Sequence, residues 1–86
     1  MRREPDFFDD RDLALVFIAK KLKEALALEE ILTRAEFDYL VEPDKYRGGV
    51  IFASERIGAF FYVDPEIEPQ VREFLSANGY KPYEPV

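Results

Sequence analysis

Between residues 13 and 35 the chain joins an apolar run directly to a helical pattern, LALVFIAKKLKEALALEEILTRA. The second part is rich in Leu, Ala, Glu and Lys, the strong helix formers, and it predicts a helix over residues 20–35. Apolar residues recur there at spacings of three and four, which makes one stripe of Leu22, Ala25, Leu28, Leu32 and Ala35. The first part, with Val16, Phe17 and Ile18, favours a buried β-strand over residues 13–19. One long helix through both parts is the alternative, because neither Gly nor Pro separates them.

Three strands are predicted after this helix. Residues 37–42, FDYLVE, alternate apolar and polar side chains, as a half-buried strand does. Pro43 ends that pattern and a polar loop leads to Gly49. The apolar runs at residues 50–53 and 58–63 predict two further strands, joined by a hairpin turn over the residues between them.

A second helix is predicted to follow. Asp64 is expected to cap it and Pro65 to be its first residue, a favoured position for proline. A later start is the alternative, because it would place Pro69 in the first turn. The helix should end at Asn78-Gly79, where glycine can adopt the left-handed conformation that follows many helices.

The order of these elements predicts the fold class. Both helices must bury their stripes on the same mostly antiparallel sheet, to which residues 80–83 could add a short edge strand. We therefore expect an α+β, ferredoxin-like two-layer sandwich with both helices on one face. Residues 13–86 would form this single domain, and residues 1–12 an acidic N-terminal arm.

The composition excludes several classes of function. The chain of 86 residues contains neither Cys nor His, which removes disulfides, the commonest metal ligands and the usual nucleophile–base pairs. Its net charge of −6 opposes nucleic-acid binding. The longest apolar run is too short for a membrane span, and acidic residues follow Met1-Arg2-Arg3 where a signal peptide would be apolar. We expect a cytoplasmic, non-enzymatic protein without metal or cofactor.

The chain resembles a known family in three places. These are the short strand followed by the Leu/Ala-rich helix, the segment FDYLV at residues 37–41, and the segment FYVDP at residues 61–65 before a helix that ends in Asn78-Gly79-Tyr80. In these features it is similar to the small bacterial signal-transducing proteins, whose shape is like that of PII-like and ACT-like domains. The resemblance implies a ferredoxin-like fold and a sensory or regulatory function without known chemistry.

A candidate ligand site combines two glycines with two cations and an aromatic ring: Lys45, Tyr46, Arg47, Gly48 and Gly49. The glycines could turn backbone N–H groups towards an anion, and the other side chains could supply charge and a stacking surface. The alternative is an ordinary turn in which the glycines only provide positive φ.

Two other charged groups are weaker candidates. Lys20, Lys21 and Lys23 precede or begin the first helix, where an anion could bind, although a solvated helix end explains them better. The acidic residues near Asp9 and near Asp64 lack the pattern of a calcium loop, and Asp64 is better explained as a cap.

The sheet face opposite the helices is a candidate interface. Phe60, Tyr62 and Leu40 would be exposed there, and a patch of that kind suggests a homodimer. The alternative is that Phe7-Phe8 of the arm, or Tyr80 and Tyr83, cover this face. The leading hypothesis is thus a regulatory domain that binds a small anionic metabolite or a partner protein, and the second is an oligomerisation module.

Overall fold

The computed structural model describes residues 1–9, 11–48 and 54–84 of the chain. Over these ranges a three-stranded antiparallel sheet has the order β1-β3-β2 and carries two helices. The elements are a 3-10 turn (Pro5–Phe8), β1 (Ala14–Ala19), α1 (Leu22–Arg34), β2 (Leu40–Gly48), β3 (Ser54–Val63) and α2 (Glu68–Ala77). The α+β class expected from the sequence is confirmed, and none of these helices is long and apolar enough to cross a membrane.

The apolar run at residues 13–19 is a strand, so the alternative of one long helix is wrong. Lys21 has an extended backbone (φ −132°, ψ 144°) and separates β1 from α1. Val16 and Ala19 are completely buried. On the helix side the run packs into the core, and on the other face Ile18 pairs with Phe60 of the neighbouring strand.

Strand β2 begins later and is longer than its sequence pattern indicates, because it covers Leu40–Gly48 instead of residues 37–42. The polar loop predicted after Pro43 is therefore wrong for residues 44–48. Pro43 pairs with Ala59, and the following residues remain paired with β3 as far as Gly48. The N–H and carbonyl of Tyr39 point away from β3, because they bond to Met1 and Arg3. By the two-residue period of a strand Pro43 faces the same way, so its missing N–H costs no bond to β3.

Strand β3 is also longer than predicted. Residues 54–57, expected as a hairpin turn, are the first residues of β3 and pair with Lys45–Gly48. Pairing across the ladder therefore overrides the local turn signal. The predicted strand over residues 50–53 and the candidate residue Gly49 lie outside the described residues.

Helix α2 does not start at Pro65, so that prediction is wrong. The alternative, a later start that places Pro69 in the first turn, is confirmed. The helix begins at Glu68 with Pro69 in its first turn. Asp64 does not cap this helix; its Oδ1 accepts a hydrogen bond from the N–H of Glu66 (3.0 Å) and stabilises the preceding turn. The helix ends as predicted, with Gly79 at φ 85°.

The core lies between the two helices and one face of the sheet. It includes Ala25, Leu28 and Leu32 of the predicted α1 stripe, together with Phe61 and Val63 of β3, Val71 and Leu75 of α2, and Tyr39, whose ring stacks on Phe61. Leu22 is not part of it: its side chain is 75% exposed because it is the first residue of α1 and lies beyond the packed turns.

Candidate functional site

A cleft of about 700 Å³ lies around the C-terminal end of β1. Its floor includes Ile18 and Phe60, which are paired across β1 and β3. Phe61, the next residue, lies in the core, so the alternation of the strand places Phe60 on the face away from the helices. The cleft is bounded on one side by β2 and on the other by residues 80–84, which we call the tail.

The β2 side of the cleft is formed by Lys45 and Tyr46. Tyr46 leans across β3 because Gly58 has no side chain: a Cβ on Gly58 would lie 3.1 Å from the Cδ1 atom of Tyr46. The Nζ atom of Lys20 is 5.3 Å from the centroid of the Tyr46 ring, a cation–π distance. The ring thus lies close to the backbone of β3 and to a lysine that also lines the cleft.

The tail side is placed by the end of α2. The N–H of Tyr80 bonds to the carbonyl of Leu75 (2.9 Å) and that of Gly79 to Ser76 (3.2 Å), the pair of bonds that reverses a chain after a helix. Tyr80 then packs edge to face against Phe17, with ring centroids 5.6 Å apart. This turn directs the tail back along β1.

Arg72 fixes the tail at the outer edge of β1. Its guanidinium donates to the carbonyls of Tyr83 (2.7 Å) and Leu15 (3.3 Å) and to Glu68 Oε2 (2.9 Å). The N–H of Tyr83 donates to the carbonyl of Val16 (2.7 Å). One arginine therefore joins α2, β1 and the tail.

The cleft is locally cationic in an acidic chain. Lys20, Lys45 and Lys81 line it, and Glu24 is the single acidic side chain among the described lining residues. Glu24 Oε1 accepts a hydrogen bond from the backbone N–H of Lys20 (3.3 Å). A net charge of −6 for the whole chain makes this local excess of positive charge distinctive.

Of the described residues in the predicted ligand site, two line the cleft. Lys45 and Tyr46 line the cleft, but they do so from strand β2 and not from a loop. Arg47 and Gly48 are paired with β3 through their backbones, and Gly49 lies outside the described residues. The alternative prediction, an ordinary turn over these five residues, is also wrong for the first four, because Lys45–Gly48 are paired with β3 in the sheet.

Lys20, which the sequence suggested was only a solvated helix end, belongs to the same cleft as Lys45. Lys21 does not line this cleft; it lines a second groove beside Leu22 and Ile57, which Lys20 also lines. Nothing in the sequence pattern marks Tyr80, Lys81 and Tyr83 as site residues, because they are far from Lys45 along the chain. Only the position of the tail beside β1 brings them to the cleft.

The candidate interface residues are partly covered by the chain itself. Leu40 and Phe60 are buried, 7% and 8% exposed, and Tyr62 is half-buried. Phe8 of the arm is 2% exposed and lines a cavity of about 250 Å³ together with Leu40 and Tyr62. The arm thus contacts the sheet face through Phe8, whereas Phe7 is 45% exposed.

Burial raises the pKa of Tyr62 above its usual value, and the carboxylates of Asp44 and Glu42 raise that pKa further. Burial likewise raises the pKa of Tyr39, whose hydroxyl lies 3.2 Å from Thr33 Oγ1. Both phenols are therefore neutral near pH 7, so Tyr62 adds no negative charge to the sheet face.

Two of the acidic candidate residues are paired with arginines. Asp64 pairs with Arg11 (2.5 Å), and Glu68 pairs with Arg72. In the part of the chain that the structure describes, no three acidic side chains converge as metal ligands do.

No family model, curated protein or solved structure matches this chain. The resemblance to bacterial signal-transducing proteins therefore stays a prediction.

Proposed function

We propose that this protein is a non-enzymatic, regulatory binding domain that holds a small anionic ligand in the cleft beside the tail. The observation that carries the proposal is that three lysine residues, Lys20, Lys45 and Lys81, line one concave surface. These lysines come from three segments that are distant in the sequence. Small-molecule sites are concave, so lysines that line a concave surface fit a ligand site better than lysines scattered over an open surface would.

The dimensions of the cleft support a ligand of metabolite size. Its volume of about 700 Å³ lies within the range of typical small-molecule sites, roughly 300 to 1,000 Å³. Its floor is apolar and its charged groups are few, which is the usual composition of such sites. Lysine can supply a point charge to an anion, and the Nζ atom of Lys20 also lies 5.3 Å from the ring centroid of Tyr46, beside aromatic surface.

A binding function is favoured over catalysis by the chemistry of the lining. General acid–base catalysis commonly uses two groups whose pKa values are held apart. Glu24 is the one carboxylate among the described residues of the cleft, and it already accepts a hydrogen bond from Lys20. The lysines and phenols around it fit ligand binding better than proton transfer.

We further propose that the fold is ferredoxin-like. The strand order β1-β3-β2, with the tail along the outer edge of β1, supports this proposal because it is the arrangement of a split β-α-β unit with a reduced last strand. A homodimer through the sheet face is the second proposal. Of the three candidate interface residues, Tyr62 supports a homodimer most directly, because it is half-buried and still has surface that a second copy could cover.

The proposed function is tested by titrating the protein with inorganic pyrophosphate at constant ionic strength, with calorimetry as the measurement. The double variant Lys20→Gln/Lys81→Gln should lose affinity on the order of tenfold or more, since each lysine contributes a charge-assisted contact. The matched control is Lys21→Gln/Lys23→Gln, which makes the same change in net charge on exposed residues outside the cleft lining. Equal losses in the two variants, or no saturable binding by the wild type, would contradict the proposal.

A further inference from the structure

The cleft has a second chemical property besides its charge: it is aromatic. Tyr46, Tyr80 and Tyr83 line it above a floor that contains Phe60. The three tyrosines are half-buried, so each keeps some exposed surface. We infer that the ligand of the cleft is a nucleotide, whose base packs on these rings and whose phosphate meets the lysines. This inference rests on the proposed function and names the class of ligand.

A simple inorganic anion would leave most of this surface unused. A phosphate ion has five heavy atoms and no apolar part, so in a cleft of about 700 Å³ it could contact lysines but not the aromatic floor. A ligand that combines a planar ring with a negative group uses both halves of the lining. Nucleoside phosphates are the common metabolites with this combination.

The sheet geometry leaves a place for a planar ring. The tail, β1, β3 and β2 follow one another across the sheet, so the tail and β2 are separated by three strand spacings, roughly 14 Å between backbones. Tyr46 leans inward from β2 and Tyr80 packs on Phe17 of β1. Beside Tyr46, on the face of the sheet away from the helices, lie the apolar side chains of Ile18 and Phe60, on which a base can rest.

The rings are held in position by contacts within the protein. Gly58 lets the Tyr46 ring lie against β3, and Lys20 lies over that ring. Arg72 and the hydrogen bond to Val16 hold the backbone of Tyr83. Rings that are already ordered lose little conformational entropy on binding, which favours affinity.

A charged group and an aromatic ring of the cleft are also close to each other. The Nζ atom of Lys20 lies 5.3 Å from the centroid of Tyr46, so one ligand can contact both without extending far. The net charge of −6 repels any anion at long range, and short-range stacking compensates for that repulsion. Stacking of a base on an aromatic side chain raises affinity on the order of tenfold.

The experiment compares AMP, GMP, CMP and UMP with their nucleosides and with inorganic phosphate, by calorimetry at constant ionic strength. We expect at least one nucleoside monophosphate to bind roughly tenfold more tightly than both its nucleoside and phosphate. Tyr46→Leu should reduce nucleotide affinity to that of phosphate without changing the affinity for phosphate, and Tyr46→Phe should retain wild-type affinity because it keeps the ring. If Tyr46→Leu does not fold, Tyr83→Leu serves in its place, because the bonds of Tyr83 to β1 and Arg72 are made by its backbone.

The remaining outcomes separate the two proposals. Equal affinities for phosphate and for all four nucleotides would overturn the nucleotide inference and leave the anion site standing. Binding of nucleosides as tight as that of nucleotides would overturn both, since the lysines would then contribute nothing. Absence of saturable binding by every probe would also overturn both.

Discussion

Glu36 has a backbone conformation that side chains rarely adopt. Its φ is 63°, and it follows α1 at the position that Gly79 occupies after α2. The bonds around it match those after α2, with the N–H of Phe37 donating to the carbonyl of Leu32 (3.1 Å). In this left-handed region the Cβ atom of an ordinary residue is crowded, at a cost of roughly 1–2 kcal/mol.

Replacing Glu36 with glycine should therefore stabilise the protein. We expect Glu36→Gly to raise the free energy of unfolding by about 0.5–1 kcal/mol and the melting temperature by several degrees, measured by circular dichroism. The same substitution on an exposed interior residue of α1, Ala27→Gly, should instead lower stability by about 1 kcal/mol. A Glu36→Gly variant that melts below the wild type would mean that the end of α1 has another conformation in solution.

At the scale of single elements, α1 is amphipathic as its sequence pattern predicts. Leu28 and Leu32 are fully buried, whereas Leu26 on the opposite side is 56% exposed. Leu26 and Leu32 thus have the same side chain in contrasting environments on one helix. This contrast allows the energetic contribution of burial to be separated from helix propensity.

We expect Leu32→Ala to reduce the free energy of unfolding by about 2–5 kcal/mol, because the substitution leaves a cavity between α1 and the sheet. Leu26→Ala makes the same covalent change and should alter stability by no more than about 0.5 kcal/mol. Urea denaturation measures both. Similar losses in the two variants would show that the stripe of α1 has been assigned to the wrong face.

At the scale of the whole molecule, the two ends of the described chain lie on the two edges of the sheet. Arg2 forms a bridge with Tyr39 beside β2, and Tyr83 bonds to Val16 beside β1. Along the rest of β2, Pro43 has no N–H to offer and Asp44 accepts the N–H of Lys45 (2.7 Å). These features leave few free backbone groups for another strand, which protects the sheet from edge-to-edge association.

The arm and a sheet-face homodimer would compete for the same surface. Phe8 packs near Leu40 and Tyr62, so the substitution Phe8→Ser should expose that surface and increase self-association. Phe7→Ser, at a residue that is already 45% exposed, is the control. Sedimentation velocity at high micromolar concentration measures the effect. If both variants sediment like the wild type, the sheet face is not an interface.

Local signals in the sequence predicted both helices, although not the start of α2, and they favoured a strand for β1 without excluding one long helix. The three- and four-residue periods of α1 and α2, and the glycine after α2, depend on contacts within a few residues and can be recognised without a partner. The extents of β2 and β3 could not be recognised in this way. Their polar ends, residues 44–48 and 54–57, are strands because they pair with each other. The sequence of one segment does not show which other segment it will pair with.

The sequence by itself determined the α+β class, the buried stripes and the absence of Cys and His, since these follow from composition and short-range periodicity. Only the tertiary structure decided which side chains share a site. Lys20 and Lys45 were separate candidates in the sequence, and Lys81 was not a candidate at all. They line one cleft because the order tail, β1, β3, β2 places distant segments side by side, and because Gly79 and Arg72 direct the tail along β1. That arrangement is a property of long-range packing, which local sequence patterns do not encode.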